Sequence, residues 1–497
     1  MVLDDPIKGF CMEEVEVRAV PLERLGSMLS ADRAALLAAS AARARAAFGD
    51  CTVWHVNATA HGGGVAEMLQ TLLAYGNGAR VTNRWLVLDA DPQFFLITKR
   101  VHNMLHGSPG DGGALGEPER KHYTAILDAN LQQMLPRVSR GDIVVLHDPQ
   151  TAGLAAGLRQ AGVHVVWRCH VGRDEANEVT ELAWAFLRPF LEPAEALVFS
   201  RRAYAPDWVD PTQLAFIAPS IDPFSAKNLP LSSVAVNNVL ATVGLVAGRH
   251  PSGPVTFARR DGTQGTVRSP SANGGLVLGG QAPPCDARLV VQVSRWDRLK
   301  DMQGVMTGFA RMPRDHGLED THLMLAGPAV SGVSDDPEGA EVLEDCRRQW
   351  HALPDEMRSR IHLASVPMDD GDENAIVINA LQRHARVVVQ KSLVEGFGLT
   401  VTEAMWKAKP VVASKVGGIQ DQITNEVDGL LVSDPYDLDA FAATLHRLLT
   451  DDRLSARLGQ AAEDRVRSEY IGDRHLTQYV DLLARLSGGD PTIDWRQ

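Results

Sequence analysis

An α/β fold built from two Rossmann-like halves is what the 497-residue sequence predicts. Three observations lead there. The chain is too long for a single core and suggests two or three domains. It reads as two series of short apolar runs separated by helical segments, the pattern of parallel sheets with helices on both faces. Most of these runs end in polar or glycine residues, which places the unusual side chains at the carboxyl ends of strands, where such sheets bind ligands.

The first series opens with an alanine-rich helical stretch over 29–48 and continues with "CTVWHVNATAHGGGVAEMLQTLLAYG", read as strand, glycine loop and helix. Further apolar runs follow at 84–90, 142–150, 164–172 and 196–204. The alternation pauses after residue 228. Residues 229–284 are rich in small residues, Gly, Ser and Pro, with a short hairpin expected around Asp261-Gly262, and read as an insertion or linker. The second series places strands at 288–297, 321–329, 360–366, 385–392, 409–418 and 428–434, before a closing helical stretch at 473–486. Two domains result, 1–228 and 285–472, facing each other across a cleft.

Composition narrows the function classes. A hydrophobic share of 45% and a charged share of 22% are ordinary for a globular protein. The formal net charge of −13 argues against nucleic acid or an anionic membrane as partner. It leaves an anionic small molecule open, because local cations decide that. Five scattered cysteines without a CxxC pair favour a reducing compartment and argue against structural zinc. Asp4 and Asp5 stand where a signal peptide would carry basic residues, and no apolar run approaches the roughly 18 residues of a membrane span. A cytoplasmic protein is expected.

Several residues at strand ends could carry chemistry. The run "HGGGVAEML" at 61–69 sets Gly63 and Gly64 between a strand and a helix, where backbone N–H groups can approach a phosphate. A tight turn explains it equally well. In "SRWDRLKD" at 294–301, Arg295 and Lys300 either converge on a diphosphate or belong to a solvated loop. His170 ends "VVWRCH" as a donor to a sugar hydroxyl or phosphate, as a proton-transfer group, or simply as a bonded strand terminus. His147 and Asp148 are open to the same two kinds of reading. In "EGFGLTVTE", Thr400 and Glu403 fit a capping box, with Thr400 as N-cap. That accounts for Glu403 but not for Glu395 or for the two glycines beside it.

The same "EGFGLTVTE" resembles the E-x7-E element of the retaining GT-B glycosyltransferases of family 4. With "VWHVNATAHGGGVAEML", "FFLITKRVHNMLHG", "DIVVLHDPQ", "VVWRCH" and "VSRWDRLKD" it resembles the trehalose glycosyltransferring synthases, which join glucose from a nucleotide sugar to free glucose. The resemblance implies a GT-B fold with nucleotide sugar held by 285–472 and acceptor by 1–228, and with the last helix, within 473–497, packing back on the first domain. Glu403 would hold the ribose hydroxyls and Glu395 would sit by the transferred sugar. The backbone of Gly396, Phe397, Gly398 and Leu399 would line sugar and phosphates, Arg295 and Lys300 would hold the diphosphate in place of a metal, Gly63 and Gly64 would approach it, and His170 would contact the donor sugar. No cofactor is implied beyond an ADP-, UDP- or GDP-glucose donor, and a homodimer is left open. Another acceptor, a trehalose phosphorylase, or a nucleotide-sugar-binding protein without turnover are the alternatives. One departure stands out: the family usually has Ile-Asp after the histidine, and here Val171-Gly172 follow His170, with Asp174 the nearest acid.

Overall fold

The computed structural model describes residues 11–488 apart from 61–63, 249–250, 271–274, 314, 316 and 331–337. They fall into two compact units: residues up to Ser220 together with those from Gly472 on, and Ile221–Ile471.

Seven strands form the first unit's sheet: β1 (Glu13–Val15), β2 (Val53–Asn57), β3 (Asn83–Val87), β4 (Ile143–His147), β5 (His164–Cys169), β6 (Ala196–Phe199) and β7 (Leu214–Phe216). Their order is β1-β3-β2-β4-β5-β6-β7, with β1 antiparallel at one edge and the rest parallel. Strand alternation divides the side chains between two cores. Trp54, Val56, Leu86, Val144, Leu146, Val165 and Trp167 meet the helices Pro92–Leu105, Glu117–Met134 and Glu178–Leu191 on one face. On the other, Val53, Trp85, Val87, Ile143, Val145 and Val166 meet the helices Ala31–Phe48, Gly64–Gly78 and Gly472–Leu486. The last of these buries Tyr479, Leu482 and Leu483 in that core.

The second unit begins with helix Ser233–Thr242, N-capped by Ser232, and the hairpin of β8 (Thr256–Ala258) and β9 (Gln264–Thr266), which turns at Gly262 with φ of 82°. Its sheet comprises β10 (Arg288–Val293), β11 (Thr321–Pro328), β12 (Ile361–Val366), β13 (Val387–Gln390), β14 (Val411–Ser414) and β15 (Leu430–Val432). All are parallel in the order β12-β11-β10-β13-β14-β15, the doubly wound arrangement whose strand order reverses between β10 and β13.

The segment 229–284 is fastened to this sheet. Arg259 pairs with Asp370 and Arg268 with Asp369 and Glu373, all around the start of helix Gly371–His384. Leu278 donates its N–H to Leu363 O at 2.7 Å, and Ser365 N–H reaches Leu276 O at 2.9 Å. These bonds cover the edge of β12, which would otherwise present unpaired backbone groups. No described helix is long and apolar enough to cross a membrane.

Candidate functional site

At the reversal point of the second sheet the chain leaves β10 through Ser294-Arg295-Trp296-Asp297 and a short 3-10 turn, Arg298–Lys300. Asp301 follows with φ of 48° and caps helix Met302–Arg311 through its Oδ1, which accepts Gly304 N–H at 3.1 Å. The neighbouring strand β13 ends in Gln390 and leads into Lys391-Ser392. Two bonds tie the strand ends together. Gln292 Oε1 accepts Lys391 N–H at 3.1 Å, and its Nε2 donates to Lys300 O at 2.8 Å. Lys391, fully buried, forms an ion pair with Asp301.

This frame brings Lys300 to Glu395. Lys300 Nζ lies 2.8 Å from Glu395 Oε1, and Ser392 Oγ donates to Glu395 Oε2 at 3.1 Å. The pair is largely buried, with side chains 16% and 10% exposed. Such burial makes the interaction stronger than at a surface and makes loss of either partner costly. Arg295 is turned toward Asp297, 3.5 Å away, and stays about one-third exposed at 32%. Three cation–carboxylate pairs, Lys300–Glu395, Arg295–Asp297 and Lys391–Asp301, thus stand beside the end of β10.

Helix Leu399–Trp406 starts here, and its start differs from the capping-box expectation. The N-cap is Gly398, at φ of 86°, so Thr400 is the second helical residue and Glu403 the fifth. Thr400 Oγ1 donates instead to Gln390 Oε1 at 3.0 Å. The left-handed glycine turns the chain two residues before Thr400 could, and a Cβ there would come within 3.2 Å of Glu395 Cγ. Glu403 lies one turn into the helix, 3% exposed, with Oε1 3.6 Å from Lys227 Nζ. Phe397 is 6% exposed and packs on Tyr470, and its carbonyl accepts from Gln422, so its side chain serves the core. Gly396 O accepts from Gly418 N–H at 3.3 Å. One turn beyond Glu403, Lys407 is buried, and burial lowers its pKa to about 7. Its Nζ donates to Gln382 Oε1, Asn228 Oδ1 and Glu403 O.

In the first unit, Gly64 is the first residue of helix Gly64–Gly78, and Gly63 lies outside the described residues. His170 follows β5 directly. Its N–H is held by Asp148 Oδ1 at 2.7 Å, and its Nε2 lies 3.0 Å from His147 Nδ1. Gly172 has a steric reason: a Cβ on it would come within 2.2 Å of the Tyr204 ring. Asp174, the nearest acid, is paired with Arg201 at 2.5 Å.

The structure therefore joins Lys300, Glu395 and Gly398 in one cluster, with Leu399 opening the helix that follows, Arg295 at the rim and Glu403 one turn deeper. Residue-level reading did not anticipate Lys391, Gln292 or Lys227. Their bonds are long-range in sequence, and no spacing pattern signals them.

Residues 55–206 match the profile of the trehalose synthase N-terminal domain, and residues 370–465 match that of the group 1 glycosyl transferases. Over 440 residues the chain is 32% identical to the trehalose synthase of Rubrobacter xylanophilus, covering 88% of this chain and 91% of that one. The chain belongs to the trehalose synthase family. It is a trehalose-related glycosyltransferase. The trehalose phosphorylase of Pleurotus pulmonarius is a more distant relative, 25% identical, with the alignment covering 87% of this chain and 57% of that longer one. Among solved structures, a trehalose-6-phosphate synthase superposes with a TM-score of 0.63 at 15% identity, covering 87% of this chain and 98% of that chain. That likeness places this trehalose synthase family member in the GT-B fold class.

Proposed function

We propose that the protein is a retaining glucosyltransferase that moves glucose from ADP-, UDP- or GDP-glucose to free glucose and so forms trehalose. The observation that carries this reading is the buried Lys300–Glu395 pair, 2.8 Å apart, at the reversal point of a doubly wound sheet. The name of its Rubrobacter relative supports trehalose as the product.

The chemistry follows from charge. As the bond from the sugar to the diphosphate breaks, negative charge accumulates on the leaving phosphate and positive charge on the sugar ring. Lys300, Arg295 and the first-turn N–H groups behind Gly398 stabilise the first. Glu395, held by Lys300 and Ser392, faces the second. Glu403 holds the ribose, and His170, on the first unit, contacts the donor sugar. The departing phosphate takes the acceptor proton on the same face, so no protein nucleophile is required and configuration is kept. Arg295 and Lys300 do the work a metal would do elsewhere.

The test is incubation with each nucleotide-glucose and glucose, with product separation by chromatography. Trehalose is expected, undiminished by a chelator. Lys300→Ala is expected to lower turnover roughly 10²–10³-fold, while the fold, followed by thermal unfolding, persists. No trehalose from any donor would overturn the reading. A second reading, phosphorolysis of trehalose, draws on the similarity to the Pleurotus enzyme. Release of glucose 1-phosphate from trehalose and phosphate would favour it.

A further inference from the structure

Across the first sheet β2, β4 and β5 lie side by side, and three histidines on or just beyond them form a file. His55 Nδ1 lies 3.0 Å from His147 Nε2, and His147 Nδ1 lies 3.0 Å from His170 Nε2. Neighbouring rings are stacked with centroids 5.3 Å apart. The rings stand in series and do not converge on a point, and among the described residues no group of three or more His, Cys, Asp or Glu could hold a metal ion.

Burial keeps the file uncharged. It lowers the pKa of His55 to about 3 and takes those of His147 and His170 well below the usual value. The Arg168 guanidinium on β5 and His475 on helix Gly472–Leu486 push His147 and His170 the same way. The other titratable groups around the file are Asp148, which holds the His170 N–H, Cys169 at the end of β5, and Tyr479, whose ring meets His55 edge-on. A neutral imidazole has one N–H and one lone pair. The central ring uses both nitrogens, so it must donate through one and accept through the other. A single direction then runs through all three rings.

His55 sets that direction. Its Nε2 has no hydrogen-bond partner among the described residues, and the ring lines an apolar cavity with Phe48, Leu72, Tyr75 and Leu483. An N–H held against an apolar cavity with no acceptor is more costly than an unused lone pair there. His55 therefore carries its proton on Nδ1 and donates it to His147 Nε2. His147 in turn donates from Nδ1 to His170 Nε2.

We propose that His55 and His147 are positioning residues that lock His170 as the Nδ1–H tautomer, a fixed hydrogen-bond donor to an oxygen acceptor on the substrate, a sugar hydroxyl or a phosphate. The consequence for turnover rests on the reading of His170 as a substrate contact given above. The tautomer itself does not.

The experiment is nitrogen-15 labelling of histidine in the free full-length protein, with ring tautomers read by long-range nitrogen–proton correlation from about pH 5 to 8. A His170→Gln variant assigns the His170 signals. Wild type is expected to show His170 as Nδ1–H with no titration across that range. His55→Phe removes the donor at the far end, and the pure Nδ1–H signature of His170 is expected to be lost. In His147→Phe, His170 is expected to interconvert between tautomers. If that central variant does not fold, the wild-type spectrum and His55→Phe still decide. Finding His170 as Nε2–H in wild type, or an unchanged tautomer in both variants, overturns the proposal. Expected tautomers in a protein that transfers no glucose would instead refute the proposed function and leave this inference standing.

Discussion

Asp148 follows β4 with φ of 63°, a conformation costly for a residue other than glycine, and it receives the His170 N–H there. Burial raises its pKa to about 7. An acid whose pKa is higher in the folded than in the unfolded chain keeps its proton where the unfolded chain has lost it. Its contribution therefore makes stability fall as pH rises from about 4 to 7. Asp148→Asn keeps an oxygen for the His170 N–H and removes the titration. Relative to wild type, the variant is expected to gain stability across that window, by at most about 1.4 kcal/mol per pH unit. Denaturant midpoints at the two ends of the window measure it, and a difference constant with pH would refute it. At this scale the sequence was informative where a residue belonged to a contiguous motif, as Glu395 and Glu403 do. It was silent where partners come from distant segments. His55 and Lys227 carry no local sign that they meet His147 and Glu403.

Helix Leu399–Trp406 shows how one element aims a site. Gly398, in the left-handed region, lets the chain turn from Glu395 into the helix within three residues. Gly398→Ala is expected to cost about 1–2 kcal/mol and to displace Glu395, because the added Cβ would press on Glu395 Cγ and Ile419 Cγ1, both 3.2 Å away. Gly371→Ala is the control. That glycine opens helix Gly371–His384 with nothing within 4 Å of a built Cβ. Melting temperature should drop for the first variant and hold or rise for the second, with turnover lost only in the first. Strand and helix alternation made both sheets and the Asp261-Gly262 hairpin readable from the sequence. The start of this helix was not, because Thr400 to Glu403 satisfies a capping pattern that a left-handed glycine pre-empts. Nor could small-residue composition reveal that part of 229–284 covers the edge of β12 through backbone bonds.

The whole molecule is organised so that its last described helix, Gly472–Leu486, completes the core of the first unit. Each of Tyr479, Leu482 and Leu483 is at most 4% exposed, and burying a side chain of this kind contributes about 1.5–3 kcal/mol. Their sum is comparable to the total stability of a domain. A chain ending at Ile471 is expected to lose the first unit to limited proteolysis while residues 221–471 resist. Equal resistance of both units would show that the helix is dispensable. The arrangement also bears on synthesis. A ribosome releases the residues of the second unit in full before it delivers the helix that seals the first. Throughout that interval the part of the first core that Tyr479, Leu482 and Leu483 cover stays wet, so the unit made first is the one finished last, and it has need of a chaperone while translation continues.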